Sequence, residues 1–310
     1  MGPIEFPEKY ENVMRLAQQA LAEQDYRKAE TLFKRAFTLS PGFECNSLLV
    51  FCLFELDEKK EALQRAMDYE SDYLQQEAFA SFYFDLLLQT QNYLYARKLI
   101  AMNDFPETFE QELLEKIKHM EYFSEQMERQ KHTDAQQQLE HFTEESPAEQ
   151  LRLLQVIQQL TYEDLLHRAR QYMTTASVHP MVRAKLLELL VQLKTDEPVS
   201  FLTIENEKVS LIPKNLLLPE YQPGYLELLR LAEDYEQEDS LLAMSLKEEF
   251  AMQSALVYPF FDRFIEEPEW WFQKTVSYYK ELIAGKESAG LDQGFSKKRE
   301  ELLRQTLGFF

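Results

Sequence analysis

The chain has 310 residues and a net charge of −21, from 33 basic and 54 acidic side chains. Apolar residues make up 45% of the chain, enough to bury a sizeable core, and this excludes an intrinsically disordered protein. Only 7 residues are glycine, which favours helix because tight turns and phosphate-binding loops need glycine. The negative charge repels nucleic acid and anionic lipid at long range, so neither is expected as a partner.

The sequence also predicts a cytoplasmic location. The first residues, MGPIEFPEKYEN, lack the basic and apolar segments of a signal peptide, so no secretion is expected. The longest apolar run, LLVFCLF at 48–54, is too short to cross a bilayer. Cys45 and Cys52 lie on one predicted helix with Cα atoms about 10 Å apart, beyond disulfide reach. Two buried thiols in a reducing compartment are therefore expected.

The first predicted elements are two helices within residues 10–41. Apolar residues recur at helical spacing in YENVMRLAQQALAEQ, and a break at Gln24–Asp25 separates this segment from DYRKAETLFKRAFTLSP. In the second segment the small residues Ala29 and Ala36 alternate with aromatic ones, and Pro41 ends the helix. Small side chains allow two helices to approach closely, so the segment predicts a packed helix pair.

The same pattern recurs twice. Ala62 lies 33 residues after Ala29, and Ala96 lies 34 residues after Ala62. Tyr93 precedes Ala96 by three positions, as an aromatic residue precedes Ala29, whereas Lys59 takes that place in the degenerate second copy. A period of about 34 residues is typical of stacked helix pairs. The sequence therefore predicts three pairs within residues 1–105.

These helix pairs resemble the tetratricopeptide repeat. The resemblance is carried by Leu16, Ala17, Tyr26, Ala29, Phe33, Ala36 and Pro41, whereas Val13 and Ala20 stand where that family often has Trp and Tyr. The combination of these repeats with HPMVRAKLLELL and the elements around it also resembles poorly characterised repeat-containing proteins of low-GC Gram-positive bacteria. The resemblance implies a protein-binding scaffold.

The remainder of the chain is predicted to be helical with one exception. Three residues are predicted to cap helices: Ser146 before Pro147, Thr161, and His179 before Pro180. The helix that starts at Pro180 is similar to a HEAT-type helix. The segment VSFLTIENEKVSLIP, at 199–213, alternates apolar and polar residues around a polar centre and predicts a β-hairpin.

Together these elements predict an all-α, TPR- and HEAT-like helical solenoid with one small hairpin. The expected regions are 1–105 with three helix pairs, 106–198 with further helices, and 199–310 with the hairpin followed by C-terminal helices.

Motifs of catalysis or metal binding are not found in the sequence. It contains no GxSxG, GxGxxG, GxxxxGK[ST] or HExxH, and its five histidines are not at ligand spacing. We therefore expect no enzyme, no metal and no cofactor. An enzyme site between the hairpin and the C-terminal helices stays open as an alternative.

The resemblance implies which residues bind a partner, because the first helices of stacked pairs line a concave groove. Its residues are predicted to be Met14, Gln18, Leu21, Phe51, Phe54, Glu55, Asp85 and Leu88, an apolar floor edged by carboxylates. Repeats that clamp a C-terminal carboxylate use Lys, Arg and Asn, and such a clamp is absent here. Trp270 and Trp271 are a possible second interface, since neighbours on a helix diverge by about 100° and one of them should be at a surface.

The predicted function is a non-catalytic scaffold or regulator that binds an amphipathic or basic-flanked segment of another protein. One alternative is an acidic chaperone for a basic or aggregation-prone client. Another possibility is that the long helix beginning near Pro106 fills the groove from within, in which case these residues are ordinary core.

Overall fold

The computed structural model describes residues 9–127, 129–284 and 293–306. These residues form 17 α-helices, three short 3-10 helices and one two-stranded sheet, which confirms the predicted all-α, helical repeat-like fold with a small hairpin. None of the described helices is both long and apolar enough to cross a membrane. The chain divides into two compact units, and the boundary follows Met127.

The first unit contains three helix pairs whose starting positions repeat at constant spacing. The first helices of the pairs each have 13 residues and are α1 (Tyr10–Ala22), α3 (Phe43–Glu55) and α6 (Glu77–Gln89). The second helices each begin 16 residues later and are α2 (Tyr26–Leu39), α4 (Lys59–Met67) and α7 (Tyr93–Met102). The alanines that predicted this period, Ala29, Ala62 and Ala96, are fully buried.

The turn inside each pair also repeats. Gln24, Asp57 and Gln91 adopt left-handed backbone conformations with φ of 60°, 62° and 63°. Each donates its N–H to a carbonyl three residues earlier, and the residue after it donates to a carbonyl five residues earlier. This arrangement satisfies the free carbonyls at the end of a helix. The three pairs therefore share the hydrogen bonds of their inner turn as well as the length of their first helix.

Two further helices complete the first unit. The short helix α5 (Glu70–Leu74) follows α4, which is only nine residues long. The long helix α8 (Glu107–Met127) packs against α6 and α7. Its Glu121 forms a 2.7 Å ion pair with Arg97, and both side chains are largely buried.

The second unit begins with four helices and the hairpin. The helices are α9 (Arg129–Gln138), α10 (Pro147–Ile157), α11 (Tyr162–Tyr172) and α12 (Pro180–Gln192). Strands β1 (Val199–Leu202) and β2 (Lys208–Leu211) are antiparallel with Phe201 opposite Val209, so the predicted hairpin is confirmed. The predicted caps are confirmed too, since Ser146, Thr161 and His179 each accept a backbone N–H of the helix that follows.

Five more helices form the core of this unit. They are α13 (Pro223–Tyr235), α14 (Ser240–Val257), α15 (Phe261–Phe264), α16 (Pro268–Ile283) and α17 (Gln293–Thr306). Their buried aromatic residues pack around Phe250 and Trp271. Arg299 of α17 is buried and pairs with Glu249 of α14, at 3.0 Å.

Candidate protein-binding face

The first helices of the three pairs carry the residues predicted to bind a partner. We call the surface formed by α1, α3, α6 and the adjoining start of α2 the A-helix face. Gln18, Phe51 and Glu55 are exposed, and the Phe51 side chain shows 36% of its surface. Leu21, Phe54 and Asp85 are half-buried. Gln18, Phe51 and Asp85 are each the ninth residue of their helix, so the spacing of the pairs places them on the same side.

Two of the predicted residues belong to the core instead. Met14 and Leu88 are only 6% and 2% exposed, and both pack within the buried cluster of the first unit. The prediction that they form an accessible floor of the groove is therefore wrong, because both are interior residues. The physical reason is that the seam between neighbouring helices takes up these apolar side chains, so less of the face is apolar than the sequence predicted.

The apolar part of the A-helix face is an aromatic row formed by Tyr26, Phe51, Phe54 and Phe82. Ring centroids are 6.3 Å apart between Tyr26 and Phe51, and 6.1 Å apart between Phe51 and Phe82. Phe54 and Phe82 lie 5.4 Å apart in an edge-to-face arrangement. Such contacts fix the orientation of aromatic rings. The row joins all three pairs and presents Phe51 to solvent.

Sequence analysis missed Tyr26 and Phe82 as members of this face. Their place in the row depends on contacts between different helices, because Tyr26 lies on α2 and Phe82 on α6. Tyr26 belongs to the repeat pattern of the sequence, but that pattern does not say which rings meet.

The first helices also carry exposed carboxylates. Glu11, Glu44 and Glu55 are exposed, and their carboxylates form no hydrogen bond or ion pair within the part of the chain that the structure describes. Two cations of α2 pair with other carboxylates, since Arg27 bonds Glu58 at 2.7 Å and Lys34 bonds Glu30 at 2.7 Å. Among the exposed carboxylates, Glu55 lies one helical turn from the exposed Phe51 on α3, so a carboxylate adjoins the aromatic row.

The long helix α8 lies beside the third pair and leaves the first two open. Its Lys116 forms an ion pair with Asp85 of α6, and its main contacts are with α6 and α7. Phe51 and Glu55 on α3 stay exposed, as does Gln18 on α1. The alternative in which this helix fills the whole groove is therefore not what the structure shows.

The two tryptophans do not form a shared surface. Trp271 is 2% exposed, and its indole Nε1 donates a 3.0 Å hydrogen bond to Gln253, so its prediction as an interface residue is corrected. The neighbour Trp270 is half-buried with its ring 6.0 Å from Phe295. Both residues hold α17 on the second unit, because Phe295 of that helix packs against both rings.

A cavity of about 350 Å³ lies between α14, α16 and α17. Its polar lining centres on Glu249, which accepts hydrogen bonds from Tyr279 at 2.6 Å, from Arg299 at 3.1 Å and, through its other oxygen, from Gln253 at 2.8 Å. Burial, followed by the bond to Glu249, raises the pKa of Tyr279 to about 12. These hydrogen bonds tie three helices together, and the Nε of Arg299 is the one atom of the cluster that is buried without a hydrogen-bond partner among the described residues.

The described residues contain no group of three His, Cys, Asp or Glu side chains placed to hold a metal ion. Cys45 and Cys52 are free and buried, as the sequence predicted. Comparison with protein-family models finds no match, and comparison with curated proteins finds no similar sequence.

Proposed function

We propose that the protein is a non-catalytic scaffold or regulator of the tetratricopeptide-repeat kind, which binds a segment of another protein on the A-helix face. The observation that carries the proposal is the aromatic row, in which Phe51 is exposed between Tyr26 and Phe82. Exposed aromatic rings held in place by neighbours are the residues that most often anchor protein interfaces. The free cysteines support a cytoplasmic location as part of the same proposal.

Capture experiments with the full chain test this proposal. The immobilised wild-type protein and a Phe51→Glu variant are compared for the proteins that each retains from a cell lysate. The variant puts a charge in the middle of the aromatic row, so the specific partner should be lost. Circular dichroism checks that helix content is unchanged.

A matched control comes from α8. Tyr122 is 65% exposed and lies away from α1 and α3, so Tyr122→Glu adds the same charge to another exposed aromatic position of the first unit. It should retain the partner. Equal loss in both variants would point to a general effect of charge and would contradict a role for the aromatic row.

The salt dependence of capture separates the proposal from the acidic-chaperone alternative. Salt at about 0.5 M shortens the Debye length to a few ångströms and weakens contacts between exposed charges. Binding that survives Phe51→Glu but disappears at this salt concentration would show that net charge alone holds the partner. Binding that depends on Phe51 and persists at high salt supports the scaffold.

A further inference from the structure

We propose that the A-helix face binds an arginine of the partner segment, with its guanidinium stacked on the ring of Phe51 and paired with the carboxylate of Glu55. This inference rests on the proposed function, because it names the side chain that the face selects. It commits to a partner segment that carries arginine near apolar residues, which charge complementarity with the face favours.

The geometry of α3 brings the two groups together. Phe51 and Glu55 are four residues apart on this helix, so their Cβ atoms are neighbours at about 5–6 Å on one side of the helix. Both side chains are exposed. Contacts with Tyr26 and Phe82 hold the Phe51 ring, so its open surface is available next to the carboxylate.

The carboxylate of Glu55 is exposed and forms no ion pair among the described residues. The cations Arg27 and Lys34 of α2 are bonded to carboxylates of the second helices, and Lys116 of α8 is bonded to Asp85. Glu44 lies on the same side of α3 and is likewise free of ion pairs among the described residues. A positively charged guest would therefore replace water at Glu55 without breaking an internal pair.

Arginine fits this pair of groups better than lysine does. Its planar guanidinium can stack on an aromatic ring and donate two parallel hydrogen bonds to a carboxylate at the same time. An ammonium group is a compact point charge without a planar face, so it offers neither the stacking surface nor the two parallel donors of a guanidinium.

The same chain contains an internal example of this arrangement. The guanidinium of Arg299 lies 3.9 Å from the ring centroid of Tyr278 and pairs with Glu249 at 3.0 Å. There the arginine belongs to the protein itself and is buried. At Phe51 and Glu55 the aromatic ring and the carboxylate are present, and the arginine position is open to a partner.

The test selects binders from displayed random peptides of about 12 residues, long enough to cover the face of two helix pairs. The full chain is the bait. Arginine should be enriched among peptides that need Phe51 for binding. A selected peptide is then synthesised with arginine, with lysine, and with citrulline, which keeps the shape of arginine and removes its charge. Binding is measured by fluorescence anisotropy.

Replacing arginine by citrulline should raise the Kd about tenfold for the wild-type protein, because a hydrogen bond to a charged group is lost. Glu55→Gln should weaken binding of the arginine peptide by a similar factor. In that variant, replacing arginine by citrulline should cause little further loss of affinity. Glu112→Gln, at an exposed carboxylate of α8, is the matched control and should leave binding unchanged.

Two outcomes would overturn the inference in different ways. Peptides that depend on Phe51 but bind equally well with arginine, lysine or citrulline would refute the arginine site and leave the proposed function standing. Failure to select any peptide that depends on Phe51 would refute both. Arginine peptides that bind Glu55→Gln as tightly as the wild-type protein would refute the pairing with Glu55.

Discussion

The hydroxyl of Tyr83 donates a 2.7 Å hydrogen bond to the carboxylate of Glu70, and this bond joins α6 to the short helix α5. The same carboxylate oxygen accepts a 2.7 Å bond from Tyr95 of α7. Burial and then the bond to Glu70 raise the pKa of both hydroxyls, to about 12 for Tyr95. Glu70 therefore connects three helices at the junction of the second and third pairs.

Replacement of Glu70 should destabilise the first unit. Glu70→Ala leaves the buried Tyr83 hydroxyl without its acceptor, and an unsatisfied buried donor costs about 1–3 kcal/mol. In a Tyr83→Phe background the cost should be smaller, because the donor is already gone. An unchanged cost in that background would mean that Glu70 acts through other contacts.

Urea denaturation followed by two signals would measure this effect. Both tryptophans of the chain, Trp270 and Trp271, lie in the second unit, so tryptophan fluorescence reports that unit alone. Far-ultraviolet circular dichroism reports both units. Glu70→Ala should move the circular dichroism transition and leave the fluorescence transition in place.

Substitution of Gln24 by glycine should stabilise the first pair. Gln24 is exposed and has a φ of 60°, a conformation that strains residues with a Cβ atom. Relief of this strain exceeds the extra backbone entropy of glycine, so we expect a gain of about 0.5–1 kcal/mol in the free energy of unfolding. Gln24→Val should do the opposite, since β-branched residues tolerate this conformation worst. The urea midpoint by circular dichroism distinguishes the two variants.

The two thiols should be unreactive in the folded protein. Burial, followed by the negative charge of Glu44, raises the pKa of Cys45 to about 11. Burial, followed by the negative charge of Glu30, raises the pKa of Cys52 to about 12. Only a thiolate reacts, so 5,5′-dithiobis(2-nitrobenzoic acid) at mildly alkaline pH should modify neither thiol. Both should react once guanidinium chloride unfolds the chain. Rapid modification in buffer alone would contradict the buried position of α3.

The stability of the second unit should fall as the pH drops below neutral. The pKa of His179 is lowered, mainly by burial. The hydrogen bond to the carbonyl of Gln305 raises this pKa in part, and the charge of Arg183 lowers it further. Above pH about 6.5, His179 is neutral in both states and its contribution to stability is complete. As the pH falls from there towards the folded pKa, the unfolded chain takes up the proton first, so stability is lost over that range.

His179→Asn isolates this contribution. Asparagine keeps an acceptor for the N-terminus of α12, where His179 accepts the N–H of Met181 at 3.2 Å, but it does not titrate. The urea midpoint by tryptophan fluorescence should therefore fall less in the variant than in the wild-type protein between pH about 7.5 and 5.5. Parallel decreases in both proteins would assign the pH dependence to other groups.

The sequence predicted local structure well. Recurring alanines and helix-breaking residues located the helix pairs, and capping chemistry located the starts of α10, α11 and α12. The hairpin followed from its alternating pattern. These features depend on neighbours along the chain, so they can be predicted without knowledge of the fold.

The sequence did not predict the short helix α5. The packing of the first unit shows why a helix is present there. Ala66 occupies the position at which the other pairs have Phe33 and Ile100, and all three are buried. Tyr73 of α5 is fully buried nearby in the same unit, with its ring 4.9 Å from that of Phe43. Ala66 fills less of the core than Phe33 or Ile100 does, and Tyr73, which lies outside the repeat pattern, adds a large side chain to the same core. A periodic pattern in the sequence cannot show this compensation.

By itself the sequence determined the period of the helix pairs, the hairpin, and which helix side carries each residue, because these follow from backbone geometry and local side-chain size. Only the tertiary structure decided that Met14, Leu88 and Trp271 are core residues and that Phe51 is exposed within an aromatic row. Burial depends on the distance between neighbouring helices, which is set by the packing of many side chains at once.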